Sequence, residues 1–144
     1  MTTSTLIKLD IPADIHYLGI VTASLAELLA AQPAGSAVDL LSHNMQLAVH
    51  EICVNVIEHA YGEQANGRLA LNLTIEPRGD GRRLIVEVYD TAAHSFDPAG
   101  VAAPDLAEPQ IGGYGLFLVQ QLMDEVHYEL RPDGHCWRLA KNLE

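Results

Sequence analysis

The order in which strand and helix patterns follow one another constrains the fold of this chain most. Alternating apolar and polar residues, typical of strands, occur at residues 5–10, 68–76, 82–89, 126–130 and 136–142. Apolar residues recur every three or four positions, as in helices, at about 14–31, 39–61 and 116–125. This order contains no repeated strand–helix–strand units. We therefore predict an α+β fold, a two-layer α/β sandwich with its helices on one face of a mostly antiparallel mixed sheet.

Turn-forming residues support the boundaries of these elements. Asp14 is expected to cap the first helix and Gly62 to end the second. The sequence Pro77-Arg-Gly-Asp-Gly81 is typical of a hairpin turn between two strands. Residues 91–111 contain three prolines and show no periodicity, so we expect a lid or another functional loop there.

Length and charge exclude several functional classes. The 144 residues predict one domain, spanning 1–144, and the net charge of −11 with no basic cluster argues against binding to nucleic acid. No apolar run is long enough to span a membrane, and residues 1–10 lack the pattern of a secretion signal, so we expect a cytoplasmic protein without membrane contact. Cys53 and Cys136 form no CxxC pair and are expected to be core residues in a reducing compartment.

The second predicted helix carries a polar stripe along one flank of its apolar face. Glu51, Asn55 and His59 are spaced four residues apart, so they lie one above the other. A carboxylate and an amide one turn apart are hard oxygen ligands, suited to Mg²⁺ with its waters and a phosphate. The alternative is a solvated helix edge without further function.

A glycine-rich loop directly precedes the third predicted helix. Its sequence is Gly112-Gly113-Tyr114-Gly115, and exposed N–H groups at a helix N-terminus form an anion site. The only lysines are Lys8 and Lys141, and there is no P-loop motif. Any phosphate must therefore be neutralised by backbone amides, the helix dipole and a metal ion. The alternative is a tight turn that allows close helix–sheet packing.

Asp90 is the third element that carries chemistry. It follows the apolar strand at 82–89 and precedes the irregular segment. A carboxylate in this position can accept a hydrogen bond from an exocyclic amine such as that of adenine, or it can cap a turn.

Taken together, these elements resemble the GHKL superfamily of ATP-binding domains, which includes gyrase, heat-shock chaperones, histidine kinases and MutL. The matching stretches are residues 48–61, 90–98 and 111–126. Within that superfamily the chain looks most similar to the anti-sigma-factor serine-protein kinases of the RsbW and SpoIIAB type. The resemblance implies a Bergerat-type fold and a Mg-ATP-dependent kinase that phosphorylates an anti-sigma-antagonist (STAS-type) protein. It further implies partner switching, in which a sigma factor is a possible second partner, and a possible homodimer.

The resemblance also assigns roles to individual residues. It implies that Glu51 is the general base, that Asn55 coordinates Mg²⁺ and that Asp90 binds the adenine amine. Further positions expected to contact nucleotide are Gly112, Gly113 and Gly115 around the phosphates, with His59, Thr91 and Thr74 as additional candidates.

One departure from the family pattern keeps a second hypothesis open. The family's first glycine box carries a glycine where this chain has Ala92, and one residue is inserted before Phe96. A methyl group conflicts with a positive φ or with a base packed against the backbone. The alternative is therefore a non-catalytic interaction module with the same fold and weak or no nucleotide binding. A detached histidine-kinase domain is a third possibility, favoured less because no dimerisation helix pair is recognised.

Overall fold

The computed structural model describes residues 3–33, 38–58, 67–90, 114–132 and 134–143. The strands are β1 Thr5–Pro12, β2 Arg68–Arg78, β3 Gly81–Asp90, β4 Glu125–Arg131 and β5 Gly134–Asn142. The helices are α1 Leu18–Ala30, α2 Val38–Val56 and α3 Tyr114–Leu122. The predicted lid at 91–111 and the predicted helix end at Gly62 lie outside the described residues.

The five strands form one sheet in the order β1-β2-β3-β5-β4, and each neighbouring pair is antiparallel. Alternate residues of β2 point into a single apolar core together with the buried faces of α1 and α2. The core residues of these three elements are Leu69, Leu71, Leu73 and Ile75, then Leu18, Val21 and Leu25, then Met45, Val49 and Ile52. The predicted α+β fold is therefore confirmed, with the helices packed on one face of the sheet, but all pairings between the described strands are antiparallel, so these strands do not form the predicted mixed sheet.

Two helix boundaries differ from the prediction. Asp14 caps a short 3₁₀ turn, Ile15–Tyr17, by accepting a hydrogen bond from the backbone N–H of His16 at 2.9 Å, and α1 begins only at Leu18. The helix α3 ends at Leu122 because Glu125 already pairs with Ala140 in the sheet. At the first boundary the local hydrogen bond of Asp14 competes with a regular helical turn, and at the second the chain leaves the helix to pair in the sheet.

Both cysteines are buried, as predicted. Burial raises the pKa of the Cys53 thiol to about 12, so this side chain behaves as a small apolar group on the core face of α2. None of the helices in the described ranges has the length and apolar character needed to cross a bilayer.

Candidate active site

Helix α2 holds Glu51 and Asn55 at the border of the core. Buried side chains surround this flank of the helix: Ala48, Val49, Ile52, Cys53 and Val56. Glu51 and Asn55 are themselves half-buried and one helical turn apart. Their burial argues against a fully solvated edge, because an exposed stripe would leave both side chains open to water.

The first turn of α3 packs directly against Glu51. A Cβ atom added to Gly115 would lie 3.1 Å from Glu51 Cδ and would overlap Glu51 Oε2. Any residue larger than glycine at position 115 would force the Glu51 carboxylate away from its observed position. The structure thus brings together two of the predicted elements, the acidic residue of the polar stripe and the last glycine of the glycine-rich loop.

On the general-base role that the resemblance implies for Glu51, we predict that Gly115→Ala displaces the Glu51 carboxylate and lowers phosphoryl transfer by about 10- to 100-fold, since small misplacements of a reacting group carry costs of this size. Folding stability should not fall, because alanine favours a helix over glycine by about 1 kcal/mol. Gly19→Ala is the matched control: Gly19 is also the second residue of a helix, but a Cβ added there would meet nothing within 4 Å. Kinetic assays measure transfer by both variants, and thermal unfolding measures their stability. Equal transfer rates for Gly115→Ala and Gly19→Ala would contradict this prediction.

Asp90 lies at the end of β3, only 4% exposed, between β2 and β5. The backbone N–H of His135 donates to Asp90 Oδ1 at 3.1 Å, and His135 Nδ1 donates to Asp90 Oδ2. The Asp90 carboxylate is thus hydrogen-bonded to the neighbouring strand β5, which the position of Asp90 at the end of β3 does not reveal.

The surroundings of Asp90 include two aromatic rings. The Tyr128 ring stacks on the His135 imidazole with centroids 5.8 Å apart and packs against Trp137 at 4.8 Å. Burial, and secondarily the charge of Asp90, raise the pKa of Tyr128, so the phenol keeps its proton at neutral pH. The Asp90 carboxylate is therefore buried beside the His135 imidazole, on which the Tyr128 ring stacks.

The remaining predicted site residues fall into two groups. His59, Thr91, Gly112 and Gly113 lie outside the described residues. Thr74 alternates with the core-facing residues of β2, so it lies on the sheet face opposite the helices, away from Glu51 and Gly115. Within the described segments, no three His, Cys, Asp or Glu side chains converge as a metal-binding cluster. Asn55 offers a single amide oxygen, which suits a Mg²⁺ ion that takes its other ligands from water and phosphate.

His135 and Gly134 were not predicted from the sequence to belong to the site. A single histidine and a glycine in a turn form no pattern that assigns either residue to a binding site. The one signal in the sequence was the turn Arg131-Pro-Asp-Gly134, which places the start of β5 but not its register against β3.

The chain is similar to known proteins over most of its length. The family model of the histidine kinase-like ATPase domain matches residues 11–141. The serine-protein kinase RsbW of Bacillus velezensis is 33% identical over 135 residues, covering 88% of this chain and 79% of the relative. The serine-protein kinase RsbW of Bacillus subtilis is 29% identical over 129 residues, covering 85% of this chain and 77% of the relative.

A solved structure supports the fold. The crystal structure of the RsbU and RsbW domains of Rv1364c from Mycobacterium tuberculosis is similar, with a TM-score of 0.62 at 20% identity. The match covers 95% of this chain and 32% of that longer chain. Together with the family match over residues 11–141, these similarities show that the chain belongs to the histidine kinase-like ATPase domain family and, within it, to the serine-protein kinases of the RsbW type.

Proposed function

We propose that this protein is a Mg-ATP-dependent kinase that phosphorylates a serine of a STAS-type anti-sigma-antagonist protein. In this proposal it acts in the cytoplasm by partner switching, with a sigma factor as a possible second partner and a homodimer as its possible assembly. The observation that carries the proposal is the contact between the Glu51 side chain and the first turn of α3 at Gly115. It puts a carboxylate beside a helix N-terminus, where phosphate groups bind favourably.

In the proposed reaction Glu51 is the general base. The serine Oγ forms a bond to the γ-phosphorus of ATP, the bond from that phosphorus to the β–γ bridging oxygen breaks, and ADP leaves. The proton of the serine hydroxyl passes to the Glu51 carboxylate. Phosphoryl transfer depends mainly on the positioning of the reacting groups and on stabilisation of phosphate charge. A carboxylate held in place by close packing can therefore serve as the base.

The residues around Glu51 fit a magnesium nucleotide. Asn55 would hold Mg²⁺ through its amide oxygen, one turn along α2 from Glu51. When bound, Mg²⁺ neutralises phosphate charge, a role that a P-loop lysine has in other nucleotide-binding proteins. Neither lysine of this chain is placed to do so: Lys8 is exposed on β1, and Lys141 lies on β5 with Nζ 3.5 Å from Asp124.

Asp90 is proposed to recognise the base. Its buried carboxylate is an acceptor at the end of β3, and an exocyclic amine of adenine is a donor that can bind there. The net charge of −11 fits protein partners better than nucleic acid.

We expect Mg-ATP and Mg-ADP to bind with micromolar affinity in isothermal titration calorimetry, and binding to weaken when Mg²⁺ is removed. Asp90→Asn should weaken ATP binding by about tenfold or more, because a charged acceptor is lost. Asp80→Asn is the control, since Asp80 is exposed in the turn between β2 and β3. If the protein binds no nucleotide in either condition, the kinase proposal fails and the non-catalytic interaction module replaces it.

A further inference from the structure

The hydrogen bonds between Asp90 and His135 place a second strand in the proposed adenine pocket. The Asp90 side chain is 0% exposed and that of His135 is 10% exposed, so water does not compete strongly for either group. His135 donates to both carboxylate oxygens, from its backbone N–H to Oδ1 and from its ring to Oδ2. Two donors on two different oxygens fix both the position and the rotation of the carboxylate plane.

The His135 ring is itself held in one orientation. The Tyr128 ring stacks on it at an interplanar angle of 29°. The backbone just before it is equally constrained: Gly134 has φ +139°, and a Cβ there would lie 2.6 Å from both Asp90 O and Asp90 Oδ1. The start of β5 therefore lies directly against Asp90, and the imidazole approaches the carboxylate from a rigid strand.

The hydrogen-bonding capacity of a carboxylate explains how this arrangement is compatible with base recognition. An ionised carboxylate can accept about four hydrogen bonds, so the two from His135 do not by themselves exclude a donor on the ligand. Because acceptors repel one another, a carboxylate held with a fixed orientation favours a ligand that presents an N–H donor and disfavours one that presents a carbonyl.

We propose that His135 is a positioning residue that sets the selectivity of this site for a 6-aminopurine over a 6-oxopurine nucleotide, acting through the orientation of the Asp90 carboxylate. This inference rests on the proposed function, since it assumes that the Asp90 pocket takes the purine base. It assigns no contact between His135 and the nucleotide itself.

The test compares ATP with inosine triphosphate, which has a carbonyl in place of the 6-amino group, by calorimetry in the presence of Mg²⁺. We expect the unmodified protein to prefer ATP by about 10- to 100-fold, the range for a hydrogen bond to a charged group. In His135→Leu this preference should fall towards unity, mainly through loss of ATP affinity. His135→Asn should restore most of it, because the asparagine amide places a donor close to the position of Nδ1, whereas His135→Gln should not.

Two measurements separate positioning from a general structural role. If His135 only supports the structure around Asp90, its loss should weaken the binding of ATP and of inosine triphosphate equally. An unchanged ratio of the two affinities would therefore overturn the inference. His127→Leu is the matched control, because His127 lies on the neighbouring strand β4 with a 64% exposed side chain and should leave the ratio unaltered. NMR of the nucleotide-free protein should show a slowly exchanging proton on His135 Nδ1; a ring protonated only on Nε2 would contradict the proposal.

The outcomes also distinguish this inference from the proposed function. Absence of ATP binding by the unmodified protein would overturn both. If ATP binding depends on Asp90 but His135→Leu still prefers ATP over inosine triphosphate, only the role of His135 is overturned. If His135→Leu does not fold, the contrast between His135→Asn and His135→Gln decides: equal selectivity of these two variants would contradict the proposal.

Discussion

Replacing Glu51 with glutamine is expected to lower the rate of serine phosphorylation by about 100- to 10,000-fold, the usual contribution of a general base. Glutamine keeps the size and shape of the side chain against Gly115 but cannot accept the serine proton. Because the loss falls on the chemical step, the affinity for Mg-ATP should change little. Single-turnover transfer from labelled ATP to a STAS-type antagonist protein of the same organism measures the rate, and calorimetry measures the affinity.

The matched control for this prediction is Glu27→Gln on α1, whose side chain is exposed and outside the site. It should phosphorylate the antagonist at the rate of the unmodified protein. Undiminished transfer by Glu51→Gln would show that another group accepts the proton. Equal loss of Mg-ATP affinity and of rate would instead show that Glu51 serves nucleotide binding.

The parts of the site that lie within one element could be predicted from the sequence. Glu51 and Asn55 share a flank of α2 because the helical repeat places residues four apart on one side, which is a local property. The apolar residues around that flank are buried as their spacing indicates, so the border position of the two polar groups follows directly. The same local logic explains why the strand and helix order predicted the α+β fold.

Contacts between elements distant in the chain could not be predicted in this way. The approach of Gly115 to Glu51 depends on how closely α3 packs on α2, and a glycine before a helix is equally compatible with a simple turn. The bonds from His135 to Asp90 depend on the register of β5 against β3, which is set across 45 residues of sequence. A shift of one residue would turn the His135 side chain to the other face of the sheet, and no local pattern specifies that register.

The same strand junction produces the largest effect on stability that we predict. Gly134→Ala should lower the free energy of unfolding by about 2–4 kcal/mol, from an unfavourable positive φ together with steric overlap. The added methyl group would lie 2.6 Å from the Asp90 carbonyl oxygen and from Asp90 Oδ1, and the first of these is backbone that cannot rotate away. Relief of the overlap must separate β5 from β3 at Asp90, so Mg-ATP affinity should fall as well. Urea unfolding and calorimetry measure the two effects.

A glycine series separates the two causes of this loss. Gly79 has φ +57° in open space, so Gly79→Ala should lose about 1 kcal/mol from backbone conformation alone. Gly19→Ala, without a positive φ and without neighbours, should be neutral or up to about 1 kcal/mol more stable. Steric overlap at Asp90 then accounts for the difference between Gly134→Ala and Gly79→Ala. If these two variants unfold at the same urea concentration, β5 does not lie against Asp90 as described, and the fixed orientation of the carboxylate loses its structural basis.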